Sequence, residues 1–451
     1  MVMGHMVRQA SKEGPLWSQW LKTSRRRARQ TAVIDAAGGK VWTADAVTRE
    51  ALHFGEALAG FRPGERVAFH LPNGAGWLAL FLALQRARLV AIPLDHALPP
   101  DGCRELAARF AARALYLDGA FYALPSPAAR RSPGCCCFKI TSGTGALPKG
   151  IACRPEHLLA DGRQIIATMK IRPRDVNLGV IPLGHSYGLG NLVLPLILQG
   201  TAVVCASHYV PRQLLDWTAR YRVSVFPGVP ALFRVLATLP RGQGGLAPLR
   251  TVISAGAVLA PAVAQAFHDR FGLRIHNFYG SSESGGISYD RTGTASLTGR
   301  SVGRPMEGVT VTVRARRVTV ASPAVAVRGG CWRLPDYGEW NARGELVLLG
   351  RAGQGANIGG RKVHPLEIER ALRELPGVTD ASVWLWRNGG RDLLAAAVET
   401  PQPRALVEQA LAARLPAWKV PKMVAVAREF PRTARGKVDL AALKKQSFAW
   451  P

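Results

Sequence analysis

The sequence lacks a long uninterrupted apolar run. Its most apolar stretch, residues 189–206, is broken by Asn191, Gln199 and Gly200, whereas a membrane-spanning helix needs about 20 consecutive apolar residues. Residues 1–30 contain no apolar signal-peptide core and instead carry arginines at 25, 26, 27 and 29. We therefore expect a cytoplasmic protein without a transmembrane segment, in which residues 189–206 form a buried helix and then a buried strand.

The sequence also lacks a CxxC pair with metal-binding spacing. Its seven cysteines are Cys103, Cys135, Cys136, Cys137, Cys153, Cys205 and Cys331. The number is odd, and adjacent cysteines on a strand point to alternate faces, so the three neighbouring ones cannot surround one ion. We expect buried thiols in a reducing compartment, with no disulfide framework and no zinc site.

Acidic residues are scarce: the chain has 30 Asp and Glu against 59 Lys and Arg, a net charge of +29. Such an excess attracts nucleic acids, membrane surfaces or an acidic carrier protein. The basic residues are scattered, however, with local clusters only at Arg25–Arg29 and Arg314–Arg317, and no aromatic residues alternate with them. This pattern favours an ordinary surface of arginine-rich composition. We expect no nucleic-acid partner, and an acyl carrier protein remains open.

Length and patterning predict an α/β protein with more than one domain. The chain has 451 residues, of which 48% are apolar and 20% charged, enough for a large core. From residue 31 to about 278, short apolar strands alternate with helical patterns, as in parallel βαβ units. Residues 293–349 then show short strands and turns, typical of a small β-barrel-like subdomain. A glycine-rich joint, Gly353–Gly355, precedes a compact α+β unit. We predict a large N-terminal domain, residues 1–352, made of two βα-layered subdomains and the β subdomain, followed by a small α+β C-terminal domain, residues 353–451.

The chain is organised around residues 141–150, which read TSGTGALPKG. They follow a short apolar run, Cys135–Ile140, that is typical of a buried strand. Small residues let backbone N–H groups approach an anion, Lys149 supplies a full positive charge, and further donors come from the hydroxyls of Thr141, Ser142 and Thr144. The stretch alone fits either a phosphate cradle or a glycine-rich hairpin turn.

Six segments, in order, resemble motifs of the adenylate-forming superfamily, which comprises acyl- and aryl-CoA ligases, luciferases and nonribosomal-peptide adenylation domains. They are residues 141–150, 254–257, 279–283, 332–351, 350–369 and 431–437. The resemblance covers nearly the whole chain. It implies that a carboxylate attacks the α-phosphorus of Mg·ATP to give acyl-AMP and pyrophosphate, and that a thiol, by default coenzyme A, then displaces AMP. It also implies a mobile C-terminal domain that rotates about a hinge at Gln354.

The resemblance assigns an ATP site. The Tyr279 ring would pack on adenine, Ser282 would contact the α-phosphate, and Glu283 would bind Mg²⁺, a cation that prefers carboxylate oxygens. Asp336 would accept the ribose hydroxyls and Arg351 would contact the ribose. The complete implied set is Thr141, Ser142, Gly143, Thr144, Lys149, Ser254, Ala255, Gly256, Tyr279, Gly280, Ser281, Ser282, Asp336, Arg351 and Lys437.

The catalytic residues implied by the resemblance are Lys437, Glu283 and His185. A lysine that bridges the carboxylate and the α-phosphate stabilises charge that grows in the transition state. Gly359 and Gly360 would line the tunnel for the thiol. The sequence departs from the family pattern at positions 145, 146, 334, 335 and 354, which leaves a degenerate, non-catalytic member as an alternative.

The acid substrate would be a small molecule bound by His185, Ser186, Tyr187, Gly228, Val229, Ala257 and Gly286. Amino-acid-activating relatives place an aspartate near the His185 position, and here no acidic residue lies between Asp175 and Asp216. We therefore expect a fatty or aryl carboxylic acid. Gly228 and Gly286 are expected to leave room for a chain or a ring. The acceptor is expected to be coenzyme A, with the phosphopantetheine of a carrier protein as the alternative.

Overall fold

The computed structural model describes residues 13–124, 131–141, 148–240, 245–352, 356–358, 361–388, 391–433 and 436–448. Many of its helices begin with a proline, whose fixed φ and missing N–H suit the first helical position. In chain order the helices are Pro15–Arg26, Ala44–Ala57, Ala75–Arg86, Pro100–Arg109, Pro155–Met169, Ser186–Gly188, Leu194–Gln199, Pro211–Arg220, Pro230–Thr238, Pro261–Phe271, Thr294–Thr298, Pro365–Arg373, Arg404–Arg414 and Leu440–Phe448, with a π-helical turn at Leu189–Val193.

The larger sheet has nine strands and a parallel centre. Its central strands are buried along their whole length, as expected when helices cover both faces of a parallel sheet. The first strand of the chain joins this sheet through Val33, which lies opposite Val203. In spatial order the strands are Arg304–Pro305, Gly285–Tyr289, Ile275–Ser281, Thr251–Ser254, Val225–Gly228, Val176–Gly179, Ala202–Cys205, Thr31–Asp35 and Val41–Thr43.

A second sheet has six strands with a parallel centre and antiparallel edges. The helix Ala75–Arg86 is apolar on almost all sides because it lies in a core that contains residues of both sheets, among them Phe69 and Val203. The two predicted βα-layered subdomains are thus confirmed. The strands of this sheet are, in spatial order, Ala120–Ala123, Ala114–Leu117, Arg66–Phe69, Val90–Pro93, Cys137–Thr141 and Lys149–Cys153.

The remaining strands form three smaller sheets. The predicted β subdomain is a four-stranded antiparallel sheet of Thr310–Arg314, Arg317–Ala321, Cys331–Trp340 and Leu346–Arg351. Ala356–Ile358 pairs with Arg361–Val363, and a three-stranded sheet follows, made of Asp380–Asn388, Arg391–Glu399 and Met423–Ala427. The α+β unit at the C-terminal end has an apolar core of its own. The predicted hinge residue Gln354 and the joint around it lie outside the described residues.

The helix Pro15–Arg26 was not predicted from the sequence. Trp17 and Trp20 are 1% and 0% exposed, and the Trp20 indole Nε1 donates to Thr48 Oγ1 at 3.0 Å. Two tryptophans three positions apart behind a proline are the local signal that identifies this helix. Among the described residues, no helix combines the length and apolarity needed to cross a membrane.

Replacing Trp20 by alanine tests how far this helix stabilises the fold. We expect Trp20→Ala to lower the free energy of unfolding by about 3–5 kcal/mol, because it leaves a large cavity and removes the bond to Thr48. Urea denaturation followed by circular dichroism measures the change. Trp340→Ala, at a site that is 39% exposed, is the matched control and should cost far less. Equal losses in the two variants would contradict the packing role.

Candidate functional site

The sequence motifs converge on one cleft of about 1990 Å³. Ser142, Gly143 and Thr144 lie outside the described residues. All other members of the predicted ATP set line the cleft, namely Thr141, Lys149, Ser254, Ala255, Gly256, Tyr279, Gly280, Ser281, Ser282, Asp336, Arg351 and Lys437. Glu283, the predicted metal ligand, lines it as well. Residues spread over about 300 positions are therefore gathered at a single site.

The described ends of the stretch 141–150 belong to two antiparallel strands at the edge of the cleft. Thr141 lies opposite Lys149 across the strands Cys137–Thr141 and Lys149–Cys153, and Thr141 Oγ1 donates to Lys149 O at 3.3 Å. The first strand begins two residues later than the predicted Cys135. Thr141 and Lys149 both line the cleft, and the phosphate cradle stays a prediction because residues 142–147 lie outside the described residues.

Tyr279, Asp336 and Arg351 form one polar cluster. Tyr279 OH donates to Asp336 Oδ2 at 2.9 Å, and Arg351 Nε lies 3.4 Å from Asp336 Oδ1. Asp336 sits inside the strand Cys331–Trp340, opposite Arg351. Burial raises the pKa of the Asp336 carboxyl, and the Arg351 guanidinium opposes that rise. Burial and the neighbouring Asp336 raise the pKa of Tyr279 well above its usual value, so the phenol remains a donor.

Ser282 and Glu283 follow Tyr279 along the cleft wall. Ser186 Oγ donates to Ser282 Oγ at 2.8 Å, which connects the predicted acid pocket directly to the nucleotide motif. Glu283 is half-buried, and within the described part of the chain its carboxylate makes no hydrogen bond or ion pair. Because carboxylate oxygens suit Mg²⁺, this side chain fits a cation ligand.

Most of the predicted acid pocket faces the same cleft. Its lining includes His185, Ser186, Tyr187, Val229, Ala257 and Gly286, but not Gly228. His185 Nε2 lies 3.2 Å from Asp95 Oδ2, so an acidic partner orients the imidazole. Tyr187 OH donates to Ile253 O at 3.0 Å, which ties its hydroxyl to the sheet and leaves only the ring for contacts in the cleft.

The expectation that Gly228 and Gly286 leave room for the acid is wrong. A Cβ at Gly228 would lie 2.7 Å from Phe233 Cζ, and a Cβ at Gly286 would lie 2.5 Å from Met306 Sδ. The space beside each glycine is therefore filled by a core side chain. The two glycines permit close packing behind the pocket wall rather than a wider pocket.

Two carboxylates of the cleft were not predicted from the sequence, because no local motif connects them with His185. Asp95 and Asp161 both line the cleft, although they lie far from His185 in sequence. Asp161 belongs to the helix Pro155–Met169, and its Oδ1 accepts from Gly286 N at 2.9 Å. Its Oδ2 lies 3.7 Å from Lys139 Nζ. The sequence signal for this pair was the presence of a lysine, Lys139, in one apolar segment and of an aspartate, Asp161, in another.

The C-terminal unit brings Lys437 to the cleft. Gly436 has a φ of +72°, and a Cβ there would lie 3.4 Å from Ala231 Cβ, so this turn is held against the helix Pro230–Thr238. Arg234 of the same helix forms an ion pair with Glu399, which is fully buried. Arg432 Nη2 also lies 3.0 Å from Glu399 Oε2. The predicted thiol-tunnel residues, Gly359 and Gly360, lie outside the described residues.

The sequence model of AMP-binding enzymes matches residues 20–131 and 123–318. The chain therefore belongs to the AMP-binding enzyme family. Within that family it is an AMP-forming acid–thiol ligase of the acyl-CoA synthetase type, which uses ATP to activate a carboxylic acid.

Known relatives cover most of the chain. A feruloyl-CoA synthase of an Amycolatopsis species is 27% identical over 475 residues, covering 92% of this chain and 96% of the relative. A p-hydroxybenzoic acid–AMP ligase of Mycobacterium tuberculosis is 28% identical over 477 residues, covering 91% of this chain and 66% of the relative. The crystal structure of a benzoate CoA ligase from Burkholderia xenovorans superposes with a TM-score of 0.82 at 21% identity, covering 95% and 99% of the two chains. This last similarity establishes the shared fold.

Adding a methyl group at position 228 tests whether Gly228 serves core packing or widens the acid pocket. We expect Gly228→Ala to lower the free energy of unfolding by about 1–3 kcal/mol through overpacking against Phe233, and to leave the choice of acid unchanged. Adding Phe233→Leu should recover part of the loss, as measured by urea denaturation. Gly76→Ala is the control, because a Cβ there meets nothing within 4 Å. A stable Gly228→Ala variant with an altered acid preference would restore the pocket interpretation.

Proposed function

We propose that the protein activates an aryl carboxylic acid as its acyl-AMP and transfers the acyl group to coenzyme A. The observation that carries this proposal is the meeting of the described motif residues in one cleft, with Lys437 brought there by a separate unit of the fold. The choice of an aryl acid over a fatty acid rests on the relatives, whose names specify feruloyl and p-hydroxybenzoic acid substrates.

The proposed first step depends on alignment and charge neutralisation more than on acid–base chemistry. Asp336 and Arg351 would hold the ribose, with the Tyr279 ring against adenine, while Thr141 and Lys149 would contact the phosphates. A carboxylate oxygen of the acid then bonds to the α-phosphorus as the bond to pyrophosphate breaks. Lys437 would neutralise charge shared by the carboxylate and the α-phosphate in that transition state.

Glu283 is the proposed Mg²⁺ ligand, and its half-buried carboxylate without a partner among the described residues supports this assignment. Bound Mg²⁺ would neutralise phosphate charge. His185, oriented by Asp95, would contribute to the wall of the acid pocket next to Ser186. In the second step the thiol sulfur bonds to the acyl carbon and AMP leaves.

We further propose that residues 353–451 form a domain that moves between the two steps. The ion pair between Arg234 and Glu399 would hold this domain in the arrangement that presents Lys437, and it would have to break before the domain turns. Coenzyme A is the proposed acceptor because relatives are named as a feruloyl-CoA synthase and a benzoate–CoA ligase. The net charge of +29 supports an acidic carrier protein as the second candidate.

Pyrophosphate release from ATP and Mg²⁺ tests the reaction. We expect release that depends on the acid supplied, that is largest with aryl acids, and that is followed by thioester formation when coenzyme A is present. The acids should be benzoic and cinnamic acids, their ring-substituted forms and aliphatic acids of several lengths. A higher thioester yield with a holo-carrier protein than with coenzyme A would favour the second acceptor. No release from folded protein with any acid would indicate a degenerate family member.

Removing the Lys437 ammonium separates the two steps. We expect Lys437→Ala to reduce acyl-AMP formation by roughly 100-fold or more, since a charge aimed at the transition state is lost, and to spare thiolysis of supplied acyl-AMP. Both half-reactions are measured separately with purified acyl-AMP. Lys445→Ala, at an exposed site outside the cleft lining, should leave both rates intact. Equal losses in the two half-reactions would reject the assignment.

A further inference from the structure

A buried ion pair lies at the wall of the cleft. Lys139 comes from the strand Cys137–Thr141 and Asp161 from the helix Pro155–Met169, and both side chains are only 3% exposed. Lys139 Nζ and Asp161 Oδ2 are 3.7 Å apart, longer than a direct hydrogen bond. Replacing such pairs with apolar residues is often neutral or stabilising. Stability alone therefore does not account for this pair.

Asp161 faces the cleft, whereas Lys139 is not part of its lining. Asp161 Oδ1 accepts from Gly286 N at 2.9 Å, and the backbone packs closely there, since a Cβ at Gly285 would lie 2.4 Å from the same oxygen. A carboxylate can accept about four hydrogen bonds, so Asp161, which lines the cleft, retains acceptor capacity beyond the bond from Gly286 N and the ion pair with Lys139. The lining of the same cleft also contains apolar residues, among them Ile140, Ile165 and Val180.

The geometry limits what can bind to this carboxylate. A second carboxylate would be repelled, so the partner cannot be the reacting carboxylate of the acid. An ammonium group would be poorly matched as well, because Lys139 already balances the charge of Asp161, and an additional buried cation would have no counter-ion. A neutral donor adds a hydrogen bond to a charged acceptor without adding charge.

We propose that Asp161, with Lys139 behind it, is a specificity-determining residue that accepts a hydrogen bond from a hydroxyl group on the acid substrate. The substrate class is then hydroxylated aryl acids rather than unsubstituted aryl, fatty or amino acids. This inference rests on the proposed function and specifies the substrate for the same site.

The first measurement compares kcat/KM for pyrophosphate release between matched acids with and without a ring hydroxyl. The pairs are benzoate with 3- and 4-hydroxybenzoate, and cinnamate with 3- and 4-hydroxycinnamate. For the best hydroxylated acid we expect a preference of about 10- to 100-fold over its unsubstituted partner, the range for one hydrogen bond to a charged group. The preference should appear mainly in KM, because Asp161 contacts no reacting atom.

Two double variants test the residues without leaving a buried charge unpaired. Lys139→Met with Asp161→Leu removes both charges, and Lys139→Met with Asp161→Asn keeps an oxygen that can accept from Gly286 N. In both we expect the hydroxyl preference to fall at least fivefold, while the unsubstituted acid is still turned over. Asp175→Asn is the control: Asp175 is buried and paired with Arg250 away from the cleft lining. It should lower the melting temperature and leave the preference unchanged.

Failure of this inference is distinguishable from failure of the proposed function. If aryl acids are turned over with equal kcat/KM for the matched pairs, the role of Asp161 is overturned and the ligase activity stands. The same conclusion follows if both double variants fold and retain the preference for the hydroxylated acid. If no acid supports pyrophosphate release, the proposed function fails, and calorimetric dissociation constants for the same pairs still test the site. Equal constants for the matched acids would then overturn the inference.

Discussion

The ion pair between Arg234 and Glu399 joins the C-terminal unit to the helix Pro230–Thr238, which lies beside the cleft. Glu399 is fully buried, and an uncompensated charge at such a position is strongly destabilising. It is balanced by Arg432 from its own unit and by Arg234 from the helix Pro230–Thr238. The backbone N–H of Phe430 donates to the same carboxylate at 2.8 Å. Folding of the C-terminal unit and its attachment beside the cleft therefore share one buried charge.

The convergence of the predicted nucleotide-binding residues on one cleft could be anticipated from the sequence, because several of them lie at the ends of strands. Ser254 ends one strand of the parallel sheet and Tyr279 lies near the end of the next. The carboxyl ends of parallel strands meet at one edge of a sheet, where ligands bind in open α/β folds. Motifs that follow successive parallel strands in the sequence are therefore expected to lie close together in space. Asp336 and Arg351 were predictable for a similar reason, since a short hairpin places them opposite each other.

The acid side could not be predicted in the same way, because its properties depend on residues that are distant in sequence. Whether Gly286 widens a pocket depends on Met306, which fills the adjacent space from another segment. Whether a carboxylate stands near His185 depends on Asp95, about 90 residues away. The local sequence specifies which side chain stands at a position, whereas the packing of distant segments determines which groups that side chain contacts. The ion pair of Lys139 and Asp161 likewise depends on the packing of a strand against a helix.

The position of the first strand has a consequence for folding during synthesis. Val33 pairs with Val203, so Thr31–Asp35 leaves the ribosome well before its parallel partner exists. At typical elongation rates of about 5–20 residues per second, the delay is roughly 10–35 seconds. The parallel strands from Arg66–Phe69 to Cys137–Thr141 come from a much shorter stretch of chain, so the six-stranded sheet can assemble during that interval. One edge of the strand can pair at once with Val41–Thr43, whereas the other stays unpaired. An apolar strand with an unpaired edge is a site for mispairing between chains, and we therefore expect a risk of aggregation until residue 205 has emerged.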